Sequence, residues 1–468
     1  MRNQYLAYGG IFLQFKARLG LQKDSSGDDL AFAFKERQSR LRQKKNKLQL
    51  ALLLTLALSA CEKTKFSASH LFYPTSRPIS ASPLVIDLNR DGKLEIAIGS
   101  VHGDFYIFDD SLRVITHWPQ LEEEPARNGH GFYSSAAAWD ADNDSYPELF
   151  VGSENGKLIG WQLDSLAGTL MPVKNFPVAL GGLIWSSPTI VADSLIAIGG
   201  YEKMFVFDRH GNSAPGWPQP IKGWTEVTAA WHDDLLAITT LIPGEDSRGH
   251  LYVWHLEGSL YANFPINLKM DSNTSPALAD LDNDGRVEII VGDDAGRLHV
   301  FTRDGSELPG FPRLAGSRIE SSPTVVDLDD NGMLDIVVGA ADGYVYAWNS
   351  VGDILLGWPV KTNDEVRSSP SIADIVGDGG LTVIIGSMDN FLYAFNSDGS
   401  LVPGFPIDCG NKISTSAWIG DLDGDAQTDI VFGADNGVHR LCNLGKLGAT
   451  PWPMFRRDIK HTGALEKF

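Results

Sequence analysis

The chain is 468 residues long, with 39 Lys and Arg against 59 Asp and Glu, a net charge of −20. The first 60 residues hold 11 of the basic residues and 4 of the acidic ones, so the rest carries 28 against 55, a net of −27. A surface this acidic repels phosphate backbones, which argues against a nucleic-acid partner and favours calcium-rich surroundings or cationic partners.

In chain order, residues 1–43 come first, an N-terminal extension or an overcalled start to which no fold is assigned. Residues 44–60 read as a signal peptide. Lys44-Lys45-Asn46-Lys47 is basic, Leu48 to Leu58 is apolar except for Gln49 and Thr55, and Leu58-Ser59-Ala60-Cys61 follows. A charged start, a short apolar run and small residues make a secretory signal. An apolar run of 11 residues is short for a bilayer span. LSAC resembles a bacterial lipobox, which implies cleavage before Cys61 and a lipid on its sulfur. An ordinary signal peptide or signal anchor with a chance cysteine is the alternative. Glu62 follows, and by the same resemblance this implies an outer-membrane lipoprotein, facing the periplasm or the surface. Residues 61–71 are then the lipidated cysteine and a tether. Beyond them only Cys409 and Cys442 remain. An oxidising compartment permits a disulfide between them, and two free buried thiols are the alternative.

Residues 72–463 repeat, and 464–468 form a short tail. A Ser-Pro, Ser-Ala or Thr-Ala pair ends at Pro83, Ala136, Pro188, Ala229, Pro276, Pro323, Pro370 and Ala417, and the last four intervals are 47 residues each. Aromatic-Pro pairs run from Tyr73-Pro74 to Trp452-Pro453, nine markers that enclose eight units. One unit, SSPTVVDLDDNGMLDIVVGAADGYVYAWNSVGDILLGWPVKTNDEVR, parses into four β-runs: SPTVVD, LDIVVGA, YVYAWNS and ILLGWPV. Loops of Asp, Gly and Asn separate them. Four strands every 47 residues are the signature of a β-propeller blade.

Stretches such as SSPTVVDLDDNGMLDIVVG and SPALADLDNDGRVEIIVG resemble FG-GAP/VCBS repeats, as in the integrin alpha-chain propeller and many bacterial envelope proteins. The tail WPMFRRDIKHTG and the YAWN and YAFN strands also resemble quinoprotein-type blades. The expectation is an all-β propeller of eight four-stranded blades, with Tyr73-Pro74 supplying an outer strand to the last blade. A seven-bladed ring with one unit outside is the alternative.

Between the first and second runs of five units lies an acidic loop. It places oxygens at positions 1, 3, 5 and 9: Asp87, Asn89, Asp91 and Glu95; Asp140, Asp142, Asp144 and Glu148; Asp280, Asp282, Asp284 and Glu288; Asp327, Asp329, Asn331 and Asp335; Asp421, Asp423, Asp425 and Asp429. Position 6 is glycine except at Ser145 and Ala426. Two carboxylates ~4 Å apart cost roughly 4 kcal/mol at an effective dielectric of about 20. Calcium takes six to eight oxygens, and the first half of an EF-hand supplies them at this spacing. Five copies in one register predict about five structural calcium sites. Acidic turns are the alternative, since Asp, Asn and Gly favour turns anyway. The seventh unit keeps Asp374 and Asp378 but has Val376 and Thr382 at positions 3 and 9, so weak or no binding is expected there. The shortened hairpins around Asp193-Ser194 and His232-Asp233-Asp234 are expected to be metal-free.

At the opposite end of the blades the units diverge. Ser80, Tyr133, Trp185, Glu226, Asn273, Glu320, Arg367 and Ser414 stand three residues before the marker, and Trp224, Asp271, Arg318, Glu365 and Lys412 two residues earlier still. These positions are expected to ring the mouth of a central channel. The candidate ligand-binding residues are Tyr133, Trp185, Trp224, Glu226, Asn273, Arg318, Glu320, Glu365, Arg367 and Lys412. Two insertions, Glu122 to Gly131 and Ile242 to Gly249, fall on the same face. A solvated rim with a Glu320–Arg367 salt bridge is the bland reading. No nucleophile elbow, zinc-binding His pair or phosphate loop is present.

The leading expectation is a monomeric, lipid-anchored, calcium-stabilised propeller that binds an envelope or extracellular protein or glycan, by adhesion or as a scaffold. The alternatives are an enzyme, such as a polysaccharide lyase or quinoprotein-like oxidoreductase, with its site at the mouth, and a purely structural assembly subunit.

Overall fold

The computed structural model describes residues 68–118, 131–242 and 248–465. The signal segment, Cys61 and most of both insertions lie outside them. Among the described residues there is no helix, and so none long and apolar enough to cross a membrane.

Strands form where the apolar, β-branched runs stand. In the sixth unit Thr324–Val326, Asp335–Gly339, Tyr344–Asn349 and Val360–Lys361 pair antiparallel in sequence order. The second strand is buried at every residue. Both of its faces are covered, which is why DIVVG reads as a continuous apolar run and not as an alternating one. Seven such sheets follow one another, and an eighth closes the ring. The eight-bladed propeller is thus as expected. One blade departs: both Thr169–Pro172 and Val178–Ala179 pair with Lys157–Asp164. The fourth strand is also shorter than ILLGWPV implied. Ile354 makes a single bridge to Trp348, and the chain turns at Gly357 with φ +89° before pairing resumes at Val360.

The closing blade combines both ends of the repeat region. Ser69–Pro74 lies antiparallel on Gly437–Cys442, with Tyr73 opposite Val438. This strand begins within the span read as a tether. Cys442 is in the paired strand, and Cys409 and Cys442 are free thiols.

A second closure runs around the channel. The Ser or Thr before each marker links neighbouring blades: the amide of Ser82 donates to Ser135 Oγ at 2.8 Å, Ser135 to Ser187 Oγ at 2.9 Å, and Ser275 to Ser322 Oγ at 3.1 Å. Ser416 donates to Ser82 Oγ at 3.0 Å, joining the last blade to the first across 334 residues. Packing repeats the same logic. Gly339 leaves room for Val366 of the next blade and Gly433 for Ile79 of the first; a Cβ on either would sit 2.2 Å from that side chain.

The C-terminal segment lines the channel. Carbonyls of Trp452, Pro453, Ile459, Lys460, Thr462 and Gly463 accept from amides of Ile372, Ile419, Ala138, Ile190, Trp231 and Leu278, all on innermost strands. Trp452 and Met454 are buried. Ala464 and Leu465, read as part of a tail, continue this pairing through Leu278.

Candidate functional site

Two ends of the blades carry the candidate residues, and the metal-type hairpins occupy one of them. In all five, the position-1 carboxylate accepts the position-6 amide: Gly92 to Asp87 at 3.0 Å, Ser145 to Asp140 at 3.1 Å, Gly285 to Asp280 at 3.1 Å, Gly332 to Asp327 at 2.8 Å and Ala426 to Asp421 at 2.9 Å. Position 6 is left-handed throughout, including Ser145 at φ +78° and Ala426 at φ +64°. The loop geometry therefore survives without glycine, at some conformational cost. The position-9 acid folds back onto the position-2 amide: Leu88 to Glu95 at 2.8 Å, Ala141 to Glu148 at 2.6 Å, Leu281 to Glu288 at 2.7 Å, Leu328 to Asp335 at 2.9 Å and Leu422 to Asp429 at 2.9 Å.

Position 9 opens the second strand and is buried in every copy. Burial, reinforced by the neighbouring carboxylates, pushes Glu95, Glu148, Glu288 and Asp335 up to about 7. Asp429 rises only to about 6, because Arg440 opposes the burial. Backbone amides leave specific oxygens over: Asp87 Oδ1, Asp140 Oδ1 and Asp335 Oδ1 are buried without a hydrogen-bond partner. Oxygens of Asp140, Asp142 and Glu148, of Asp280, Asp282 and Glu288, and of Asp327, Asp329 and Asp335 converge within 4.8 Å. Orphaned buried oxygens facing clustered acids fit a hard divalent cation bound through oxygen. The hairpins of blades one, two, five and six would hold it through positions 1, 3, 5 and 9. Its chemistry there is charge neutralisation, and the hairpin's own hydrogen bonds fix the oxygens in place.

The eighth-blade hairpin differs. Asp421, Asp423 and Asp425 converge, but Arg440 Nη2 also lies 2.6 Å from Asp423 Oδ2 and 2.9 Å from Asp429 Oδ1. In the seventh blade the Asp374 carboxylate is filled by the amides of Val376, Gly377, Asp378 and Gly379. The sequence reading missed one acidic cluster: Asp234, His255 and Glu257 in the fourth blade, with His255 Nδ1 2.5 Å from Asp234 Oδ2. The signal was an acid next to a shortened hairpin and an H-L-E run at the end of the third strand, residues far apart in any fixed spacing.

At the other end, the eight residues three before the marker, Ser80 through Ser414, all line one cup of about 380 Å³. The serine ring forms its wall, and Phe455 of the C-terminal segment also lines it. Between blades six and seven, Arg318 lies 2.5 Å from Glu320 and 3.1 Å from Glu365, while Arg367 lies 3.1 Å from Glu320 and 2.7 Å from Glu365. These two guanidiniums and two carboxylates neutralise one another. Glu320 and Arg367 thus stand in a square of two positive and two negative groups.

Blades two to four present a different surface. The Trp185 indole donates to Glu154 and the Trp224 indole to Glu226, each at 3.1 Å. Tyr133 and Trp185 pack with ring centres 5.6 Å apart, and Tyr201 stacks on Trp224 at 6.2 Å. Leu183, Trp185, Tyr201 and Trp224 line an apolar hollow of about 400 Å³ that opens beside the cup. Burial, with Glu320 and Asp294 close by, raises Glu226. Asn273 is tied to Asp294 at 3.1 Å and Asp271 to the Ile242 amide at 2.9 Å, and Lys412 enters through its carbonyl, bonded to the Asp435 amide at 3.0 Å. Tyr201, Leu183 and Glu154 were not singled out from sequence, because none sits at the repeated position.

Residues 280–338, two consecutive hairpins and the strands between them, match the family model for the FG-GAP-like repeat. This chain is an eight-bladed β-propeller that carries an FG-GAP-like repeat. No curated protein matches it in sequence. Among solved structures the propeller is similar to Sqt1 of Saccharomyces cerevisiae, at 11% identity and TM-score 0.59 over 82% of this chain and 100% of that one. It is similar to BamB from Moraxella catarrhalis, at 14% identity and TM-score 0.53 over 80% and 96%. It is also similar to the quinohemoprotein alcohol dehydrogenase from Comamonas testosteroni, at 12% identity and TM-score 0.57 over 82% and 77%. At such identities the likeness is one of fold.

Proposed function

We propose that this FG-GAP propeller is a calcium-stabilised binding protein, lipid-anchored through Cys61 at the bacterial outer membrane, that holds a protein or glycan partner at its channel mouth. The observation that carries the reading is the aromatic surface of blades two to four. Trp185 and Trp224 are fixed as platforms by Glu154 and Glu226, beside a hollow with Tyr201 and Leu183 more than half exposed, at 52% and 55%. Rigid exposed aromatics at low entropy cost are what recognition surfaces use. The opposite end carries the metal hairpins and supplies rigidity. The C-terminal segment lines the channel, so the mouth is where a partner meets these residues.

The test compares the full chain, purified from its own envelope in calcium, with a Trp185→Ala/Trp224→Ala variant. One polypeptide or glycan should be retained by the native chain and lost by the variant. Equal retention by both would remove the mouth from this reading. A small chromophore bound at one per chain would replace it with an enzymatic one.

A further inference from the structure

The five acidic hairpins share one backbone geometry, yet among the contacts of the described residues only the eighth-blade hairpin has a basic side chain placed among its acids. Arg440 stands on the third strand of the eighth blade, paired with Val431. The residues in the same register in blades one, five and six are Ile107, Val300 and Ala347, and in blade two Gly160. A long cation thus replaces a small or apolar residue in this blade alone among the five. Its guanidinium reaches Asp423 Oδ2 at 2.6 Å and Asp429 Oδ1 and Oδ2 at 2.9 and 3.0 Å, positions 3 and 9 of the hairpin. Arg440 is 4% exposed. Its remaining nitrogen, Nη1, donates to the carbonyl of Asp110 in the first blade, across the seam where the ring closes.

A second, independent observation agrees. The hairpins of blades one, two and six each keep a buried carboxylate oxygen without a partner: Asp87 Oδ1, Asp140 Oδ1 and Asp335 Oδ1. In the eighth blade the corresponding oxygens are taken. Asp429 Oδ1, the counterpart of Asp335 Oδ1, accepts Arg440, while Asp421 Oδ1 accepts the amides of Gly424 and Asp425 at 2.8 and 3.0 Å, much as Asp327 Oδ1 in blade six accepts that of Asn331 at 2.9 Å. A buried cation is stable only when paired and hydrogen-bonded, and this one is both. Placing a divalent ion there as well would set it against a guanidinium held on the same oxygens.

We infer that Arg440 is the resident cation of the eighth-blade hairpin, which takes no calcium, and that it fastens the closing seam independently of metal. The inference rests on the calcium reading of the other hairpins. The chain then binds four ions, in blades one, two, five and six, and not five. The seam stays closed when calcium is withdrawn, while the four other hairpins loosen.

Calcium binding to the full chain, by calorimetry and equilibrium dialysis, tests this. The native protein and an Asp425→Ala variant should both bind four ions, and a Glu288→Gln variant should bind three. Arg440→Met should raise the number to five or, if it does not fold, show that the seam needs the guanidinium. Five ions in the native chain falling to four with Asp425→Ala, or a folded Arg440→Met that still binds four, overturns the inference. No bound ion in any variant overturns the calcium reading itself, a result distinct from losing one ion of five. Hydrogen exchange in chelator gives a second readout. Protection at the Leu422 amide should persist while that at the equivalent amides of Leu88 and Leu281 falls at least tenfold, and equal loss at all three contradicts the metal-free seam.

Discussion

Where the first and second strands of a blade meet, five hairpins place the same acids on the same amides. Where the chain enters the first strand, residues in matching positions are two serines, a tyrosine, a tryptophan, an asparagine, an arginine and two glutamates. The two ends lie on the same strands and differ in what constrains them. The acidic hairpin must set its carboxylates on fixed backbone amides, so the same residue types recur at positions 1, 3, 5 and 9 from blade to blade. The mouth needs only to keep the serine ring bonded, so the remaining side chains are free to differ, and the difference concentrates on blades two to four.

The largest test of that contrast is metal removal. At free calcium a hundredfold above its dissociation constant, each site contributes about 2.7 kcal/mol, so four sites contribute on the order of 10 kcal/mol. Chelator should lower the melting temperature of the purified chain strongly, and an unchanged melting curve would make the hairpins plain acidic turns. Trp452→Ala comes next. It removes a buried indole from the segment lining the channel, at a cost of about 3–5 kcal/mol, read from the urea midpoint. It should weaken blade seven first, since Trp452 pairs with Ile372 and packs in one cluster with Val383 and Phe395.

The channel segment also carries a pH dependence. The His461 ring is buried; its Nδ1 meets the carbonyl of Pro188 at 3.0 Å, and burial pushes it down to about 3. Unfolded, it titrates near 6.5, so between those values the unfolded chain binds the extra proton. Its contribution is full above about pH 7 and is lost as pH falls from about 6.5 toward 3. His461→Asn tolerates the left-handed backbone at φ +59°. That variant should lose less stability than the native chain between pH 7 and pH 5, measured by urea denaturation.

The mouth should give the smallest stability effects. Trp185→Ala/Trp224→Ala should abolish partner retention while shifting stability by no more than about 1–2 kcal/mol, since both rings are partly exposed. Arg367→Met breaks half of a part-exposed ion square and should cost about 0–1 kcal/mol. A double variant at the mouth that unfolds the chain would erase the distinction between the two ends.

Blade number, strand order and the five hairpins were legible in the sequence, because each blade meets the same neighbours and so repeats the same residues. Even the closing strand near Tyr73 had a marker. The fourth strand was misplaced by several residues because an aromatic-Pro turn is apolar and reads like a strand. Cys61 and the insertions could be read only as sequence.

Sequence alone therefore determined the repeating parts: the strands, from apolar runs, and the acid-bearing loops, from their spacing. Tertiary structure decided what happens once per molecule. It brought Arg440 to Asp110 across 330 residues, Ser416 to Ser82 across 334, and the C-terminal segment to six innermost strands. A contact made once, between residues so far apart, has no period to betray it. It exists only because closing the ring puts the ends of the chain side by side.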